Sequence, residues 1–542
     1  MHDHLVCSKT EGVIIFARLY MMKNKIRLIV ISSLIICAGI LLYELIRFRY
    51  FYHDDEMIAL RHLRNFFHHQ GLNWNPGEKV EGYTSFLHLF FSAVIIWFTG
   101  DFLLAPRIVN FIFFGLMLFS AWRLFKKRFP CADEVRMVLF TMFLLVVVTY
   151  PGNIIWIYGG LETVTYTSIL FMSISGFLYL PGTLQNRIWS GLLFAMAAMT
   201  RPDGILFFGI CAAQLFIVSA KGRTWRLFFA FTISFLVVYG CYFVCRYHYY
   251  GLLLPNTFYA KTNFTLAKIH SGIRYVMRFA LSILFIIGTI GFLFWQNRPS
   301  GSFTARVRLL LLSICIYAGY IIIYGGDHMP GFRFMIPILP IIAFLCTELS
   351  ARLPIRDVFI ATILLIGNIL FIPAFDPVEF SDAKETDTAA FNGALVGNYL
   401  NSVLPADQLI ATNSAGAIPF FASGHRFIDM LGICDTTISH RKIIPMLAPW
   451  QQVPGHEKGD GNYVLSRHPD IIILGPSEGT EHTIWFLSDA EILSNPLFKK
   501  EYQMQRVHIP VTDLLLRSGV VFRMEPSSDS LIFTYYKRRA AN

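Results

Sequence analysis

Twelve apolar runs joined by short polar connections leave this chain little choice but a helical bundle in a bilayer. They lie near 28–43, 84–100, 108–122, 137–150, 163–180, 188–200, 204–219, 227–245, 279–296, 309–324, 334–347 and 358–375. Several are shorter than the roughly 18–20 residues that cross a bilayer, so the connections must carry the assignment. Basic clusters stand at Arg123/Lys126/Lys127/Arg128, Arg187, Lys221/Arg223/Arg226, Arg298/Arg306/Arg308 and Arg352/Arg356, with Lys23, Lys25 and Arg27 ahead of the first run. Such clusters stay on the cytoplasmic side. All of them fit one alternation if 84–122 makes a single net crossing, with 84–100 interfacial or re-entrant. The expectation is a polytopic α-helical membrane protein with about eleven transmembrane helices and its N-terminus inside.

Composition agrees. At 55% hydrophobic and 15% charged, a soluble protein of 542 residues is excluded. The net charge of +11 is spread over topology signals rather than gathered in a patch, so membrane lipid is the expected partner and nucleic acid is not. Of nine cysteines only Cys434 lies in the hydrophilic C-terminal region, so no disulfide framework is implied. The first span has no evident cleavage site and reads as a retained anchor, and Met21-Met22-Lys23 resembles a natural start. The chain divides into a cytoplasmic N-terminal segment (1–25), a transmembrane domain (26–375, first outer loop 48–84) and an extracytoplasmic, or periplasmic, α/β domain (376–542). In the last, Gln408–Thr412, Arg426–Met430, Asp470–Leu474 and Leu531–Tyr536 read as strands.

The alternation has a consequence for chemistry. His53-Asp54-Asp55-Glu56, Gly160-Leu161-Glu162, Arg201-Pro202-Asp203-Gly204, Pro255-Asn256-Thr257 through Lys261, and Gly325-Gly326-Asp327-His328 through Arg333 all fall on the outer face. Charges at helix ends beside hydrocarbon are costly unless paired or wetted, so their one-sided clustering points to a site. A carboxylate pair beside basic residues suits glycosyl transfer from a lipid-phosphate sugar. Asp54 or Asp55 would be the catalytic base, and Arg333, Lys261 and Arg201 would meet the charge growing on the phosphate. Each of these three also suits an interfacial cation that binds lipid phosphate, Arg333 less so than the other two. Glu81, Tyr83, Glu162, Asn256, Asp327 and His328 have the donor and acceptor character to hold sugar or acceptor, alongside capping and loop roles. Asp203 shares that pattern; Asp429 and Asp435 suit caps or turns better than glycan contacts. No cofactor is certain. A divalent cation on Asp54 and Asp55 stays open, although neighbouring residues point in different directions.

The ordered residues Asp54-Asp55, Arg61, Asn65, Gly71, Asn75-Pro76-Gly77-Glu78 and Glu81-Gly82-Tyr83-Thr84 resemble the first outer loop of the mycobacterial terminal β-arabinofuranosyltransferase family and its relatives in other bacteria. The outer segments named above follow in the same order. So do Asn413-Ser414-Ala415-Gly416-Ala417, Asp429-Met430-Leu431-Gly432 and Gly455-His456-Glu457-Lys458, so that the likeness runs from about 50 to 475. It implies a GT-C glycosyltransferase fold, a polyprenyl-phosphate sugar donor, extracytoplasmic catalysis in the bacterial inner membrane and a catalytic Asp54 or Asp55. Glu56-Met57 stand where the family pattern has a small residue then an aromatic, and His88 where it has Trp. The expected activity is transfer of arabinofuranose to a surface glycan, lipopolysaccharide or pilin-type acceptor. Alternatives are another lipid-linked sugar (mannose or aminoarabinose), a lipid-linked sugar transporter, and a glycan-binding scaffold without catalysis. A transporter should show mid-bilayer charges and a repeated architecture, and neither is evident.

Overall fold

A computed structural model describes residues 3–128, 133–261, 265–297, 304–375, 379–445, 455–511 and 529–539. Arg298, one of the basic topology residues, lies outside the described residues. Seven helices among them are long and apolar enough to cross a membrane: Ile26–Arg47, Ala105–Lys127, Gly204–Gly222, Trp225–Tyr250, Ala305–Tyr324, Pro330–Ser350 and Ile355–Phe375. Two further candidates are bent pairs, Val135–Val147 with Pro151–Tyr158 at 61° and Leu266–Ser282 with Leu284–Gln296 at 75°, which brings the number to nine. Eleven crossings are reached when Thr163–Tyr179 and Leu184–Thr200 are counted too, and each is only 17 residues long. Phe86–Thr99, 14 residues, is the short apolar helix expected at the interface. The first span belongs to one continuous helix from Asp3 to Arg47, so no break separates an N-terminal segment from the anchor.

The most apolar window of Pro330–Ser350 is entirely buried, whereas only 11% of that of Trp225–Tyr250 is. The bundle is therefore built around the former, and the latter presents its sides to lipid. The chain kinks within the first turn of Pro330–Ser350. Phe332 adopts left-handed backbone (φ 53°), which costs a non-glycine residue about 1 kcal/mol or more. The kink turns the next residue, Arg333, inward, where it is buried.

The C-terminal region carries a five-stranded sheet of order β2-β1-β3-β5-β4, with β1 Leu409–Thr412, β2 Arg426–Asp429, β3 Ile471–Ile473, β4 Tyr502–Pro510 and β5 Ser530–Arg538. β1 pairs in parallel with β2 and β3, while β5 runs antiparallel to β3 and β4. All four expected strands are present. β4 was not expected, because it is a polar edge strand in which most residues face water, and strand periodicity shows only where one face is buried.

This domain does not stand apart from the membrane domain. Met57, Ile58, Leu60 and Leu63 of the Asp54–Phe67 helix share one core with Ile410, Ala417, Ile418, Phe420 and Phe427. Arg61, 1% exposed, donates to the carbonyls of Trp74 (2.7 Å), His425 (2.8 Å) and Pro419. Asn75 exchanges two hydrogen bonds with the Phe427 backbone. Much of the first-loop sequence pattern thus serves to dock the α/β domain.

Candidate functional site

The acidic cluster forms the first turn of the Asp54–Phe67 helix, where carboxylates offset the positive end of the helix dipole and His53 caps the Asp55 N–H. Successive side chains diverge by about 100° around a helix, so the three carboxylates reach three different places.

Asp54 is buried against the α/β domain. Its Oδ1 accepts from the Ala417 N–H (2.7 Å) and Ser414 Oγ (3.3 Å). Gly416 is obligatory beside it, because a Cβ there would collide with the Asp54 backbone and carboxylate. Burial, reinforced by Asp55 and Asp387, pushes the Asp54 carboxyl up to about 7 against the pull of the Ala417 N–H. The unfolded carboxyl titrates near 4. Between these values folding takes up a proton, so this contribution is full below about pH 4 and is lost as pH rises through about 7. We expect the apparent melting temperature of the protein to fall between pH 4.5 and 7.5 by more than it does in Asp54→Asn. Equal slopes, by thermal unfolding in detergent, would remove Asp54 from the pH response.

Asp55 faces two cavities. The first, about 220 Å³, enters the membrane domain between Glu162, Arg201, Asp203, Lys261, Tyr320 and Arg333. The second, about 490 Å³, opens between the start of the Asp54–Phe67 helix and the α/β domain. Asp55, Ile58, Lys261 and Ile433 line both. Asp55 Oδ2 lies 3.7 Å from Lys261 Nζ, with 28% and 24% of the two side chains exposed, so neither is locked in place. Burial alone would raise the Asp55 carboxyl, but Lys261, then His53, Arg333 and His328, hold it well below the usual carboxylate range. It stands ionised where the cavities meet.

The three expected phosphate cations all line the first cavity. Arg201 is shared between Glu162 (3.3 Å) and Asp203 (3.2 Å), and Tyr317 Oη donates to the other oxygen of Asp203 (3.1 Å). Arg333 pairs with Asp327 (2.7 Å) and lies over the Trp156 ring (5.3 Å). Trp156 was not foreseen, since an aromatic in an apolar helix carries no sequence signal of the cation above it.

The sugar- and acceptor-binding expectations divide. Tyr83 and Glu162 line the first cavity and His328 the second. Asp327 lines neither and acts by holding Arg333. Glu81 and Asn256 line neither of these cavities; Glu81 lines a separate one with Tyr83 and Arg246. Glu81, 2% exposed, is held by Arg246 Nε (2.7 Å), a partner that a buried carboxylate requires. Asn256 is a strap to the α/β domain, donating to Gly432 O and Ile433 O and accepting from Ser439 Oγ. Asp429 and Asp435 are turn and cap residues, accepting from the backbone N–H groups of Leu431 and Cys434 and of Ile438 respectively. Asp54 and Asp55 point apart, and no group of three or more His, Cys, Asp or Glu residues gathers as a metal site among the described residues.

The two departures from the family pattern prove to be neighbours. Glu56 forms a two-pronged pair with Arg107 (2.8 and 2.9 Å), and its carboxyl fills the space where Gly160, at φ +72°, would carry a Cβ. The Gly160 carbonyl in turn bonds His88 Nε2 (3.0 Å), whose Nδ1 meets Thr165 Oγ1 (3.1 Å). Glu56 and His88 thus buttress the same loop from two sides.

Comparison with known proteins is consistent with this architecture. Residues 383–522 match a family described as Domain of unknown function (DUF8728). The terminal beta-(1->2)-arabinofuranosyltransferase of Mycobacterium tuberculosis is 26% identical over 329 residues, which are 54% of this chain and 51% of that protein. The protein of the same name from Corynebacterium glutamicum is 24% identical over 176 residues, 30% of this chain and 24% of its own length. The chain thus spans about half the length, or less, of these curated relatives. Among solved structures, ArnT from Cupriavidus metallidurans, bound to undecaprenyl phosphate, superposes with a TM-score of 0.52 at 10% identity, over 94% of this chain and 97% of ArnT; its apo form gives the same values. The chain has the GT-C fold, with a C-terminal α/β domain, and resembles the terminal arabinofuranosyltransferases.

Proposed function

We propose that this membrane protein is a glycosyltransferase that moves a sugar, arabinofuranose, from a polyprenyl-phosphate donor to a cell-surface glycan or glycoprotein on the extracytoplasmic face. The observation that carries the reading is the meeting of two cavities at one ionised carboxylate, with Lys261 and Arg333 on the side that enters the bundle. In this reading the first cavity takes the donor phosphate, and Tyr320, Tyr324, Leu254 and Phe258 give the prenyl chain an apolar wall. The acceptor hydroxyl arrives from the second cavity and attacks the anomeric carbon while Asp55 takes its proton. The bond from that carbon to the phosphate oxygen breaks, and polyprenyl phosphate leaves with the electron pair, its charge met by Lys261 and Arg333. Donor phosphate competes with Asp55 for both cations, so donor binding makes Asp55 a stronger base just when one is needed. Arg201, already shared by two carboxylates, orients the sugar rather than neutralising phosphate.

Aminoarabinose fits the first cavity less well. A cationic sugar needs an unspent carboxylate, and Glu162 and Asp203 are both engaged by Arg201 while Asp55 faces Lys261. The test is transfer in membranes supplied with synthetic polyprenyl-phosphoryl arabinofuranose, aminoarabinose or mannose. Turnover of the first donor alone supports the assignment; turnover of another alone moves it to that sugar, and no turnover of any removes the enzyme reading.

A further inference from the structure

The helix Leu266–Ser282 lines neither cavity, yet its buried face reaches behind both Lys261 and Arg333. That face carries Lys268, Gly272, Tyr275, Phe279 and Ser282. Spacings of three and four residues put these on one side of the helix, where burial favours apolar groups. A lysine there, 4% exposed, is costly unless its charge is paired and its donors are used. Lys268 meets both conditions. Its Nζ lies 2.9 Å from Glu457 Oε1, which is itself buried in the α/β domain, and donates to the Lys261 carbonyl (3.0 Å). The segment that carries Glu457 also covers the Lys261 side chain: a Cβ on Gly455 would stand 3.1 Å from Lys261 Cε. Lys261 is therefore held at its backbone by Lys268 and packed along its stem by a segment that Lys268 anchors.

A second, independent observation concerns Tyr275, two turns further along the same face. Its Oη accepts from the Phe334 N–H (3.1 Å), and its ring lies 5.6 Å from that of Phe332. Arg333 stands between these two residues, so Tyr275 holds the chain on either side of it. Gly325 and Gly326 run against the same two side chains. A Cβ would stand 3.2 Å from the Lys268 stem at the first and 2.7 Å from Tyr275 at the second. The chain then leads directly to Asp327, which pairs with Arg333.

We infer that Leu266–Ser282 is the common support of the two cations, with Lys268 the positioning residue for Lys261 and Tyr275 the positioning residue for Arg333. Neither side chain lines the first cavity, so each acts on a bound phosphate only through the cation it holds. Mounting both cations on one helix fixes their separation before the ligand arrives. The entropy of ordering two long side chains is then met in folding rather than in binding. This inference rests on the transferase reading, in which the donor phosphate lies between Lys261 and Arg333.

The test measures binding of undecaprenyl phosphate, and of the phosphate-free alcohol undecaprenol, to the full-length protein in nanodiscs. Lys268→Met alone would remove the cation beside the buried Glu457 carboxylate, so the variant is Lys268→Met/Glu457→Gln. Glu457→Gln alone is its control, because it leaves the bond from Lys268 to Lys261 in place. Tyr275→Phe and Lys261→Met are measured too, and the Lys268 and Tyr275 variants are repeated in the Lys261→Met background, with thermal unfolding as the check of folding. Lys268→Met/Glu457→Gln and Tyr275→Phe should each weaken undecaprenyl phosphate by about tenfold, while undecaprenol, and Glu457→Gln alone, change by less than about threefold. In the Lys261→Met background the effect of the Lys268 variant should vanish and that of Tyr275→Phe persist, because only the former acts through Lys261. A role confined to stability would weaken both lipids and add in both backgrounds. Equal losses for undecaprenol, full additivity of the Lys268 variant with Lys261→Met, or no loss in either variant overturns the inference. Should the Lys268 variant fail to fold, Tyr275→Phe decides alone: a loss confined to the phosphate lipid supports the common support, and no loss overturns it. Undiminished binding of undecaprenyl phosphate by Lys261→Met overturns the donor reading of the first cavity itself, which separates the two levels.

Discussion

Asp55→Asn is expected to abolish sugar transfer, by about 10²–10⁴-fold, in a protein that still folds. The amide keeps the size and hydrogen-bonding reach of the carboxylate but cannot accept the proton of the acceptor hydroxyl. Little stability should be lost, because the Asp55–Lys261 pair is loose at 3.7 Å and partly exposed, and such pairs contribute about 1 kcal/mol or less. Asp54→Asn should behave differently. Asp54 uses its oxygens to hold Ala417 and Ser414, and an amide oxygen can do the same. We expect it to retain transfer within about tenfold of wild type, the scale of a disturbed support rather than a lost base. Transfer measured with the same donor in both variants, with thermal unfolding alongside, separates them. A dead Asp54→Asn beside an active Asp55→Asn would reverse the assignment and place the chemistry at the domain seam.

The second large effect concerns stability. Arg107→Ala leaves the Glu56 carboxylate, 2% exposed, without its partner. Removing one member of a buried pair costs about 3–5 kcal/mol, far more than the pair contributes relative to apolar replacements. Burial already pushes the Glu56 carboxyl up to about 7 despite Arg107, so losing the arginine raises it further. The deficit should therefore be smaller at pH 5, where Glu56 is neutral, than at pH 8. Combining Arg107→Met with Glu56→Gln should recover much of the loss, because no charge then remains buried. Unfolding of the single and double variants in detergent at both pH values reads this out. Equal destabilisation at pH 5 and pH 8 would show that packing of the guanidinium on the Tyr52 ring, 3.8 Å away, matters more than its charge.

The sequence carried the apolar helices and the hydrophilic domain because each rests on a local signal: an apolar run or a change in composition. Four strands were legible for the same reason, each having a buried face. The first-loop carboxylates, Lys261, Arg201 and Arg333 were legible as polar residues where polarity is costly, and the structure brings Asp55 and those three cations to one cavity. The sequence could not tell Asp54 from Asp55. That choice depends on the azimuth of each side chain around one helix turn and on Gly416, some 360 residues away, which makes room for Asp54. Glu81 and Asn256 fall outside the two cavities for a related reason. A carboxylate or amide in a polar loop looks the same whether it meets a ligand or a partner such as Arg246 or Ser439, and only the folded chain supplies that partner. Sequence thus determined which segments are apolar and where charge is concentrated, since hydrophobic transfer and positive-inside bias act on residues taken a segment at a time. Tertiary structure alone decided which carboxylate stands where both cavities meet and which one holds the α/β domain, because a buried charge takes its role from whatever packing places within hydrogen-bond reach.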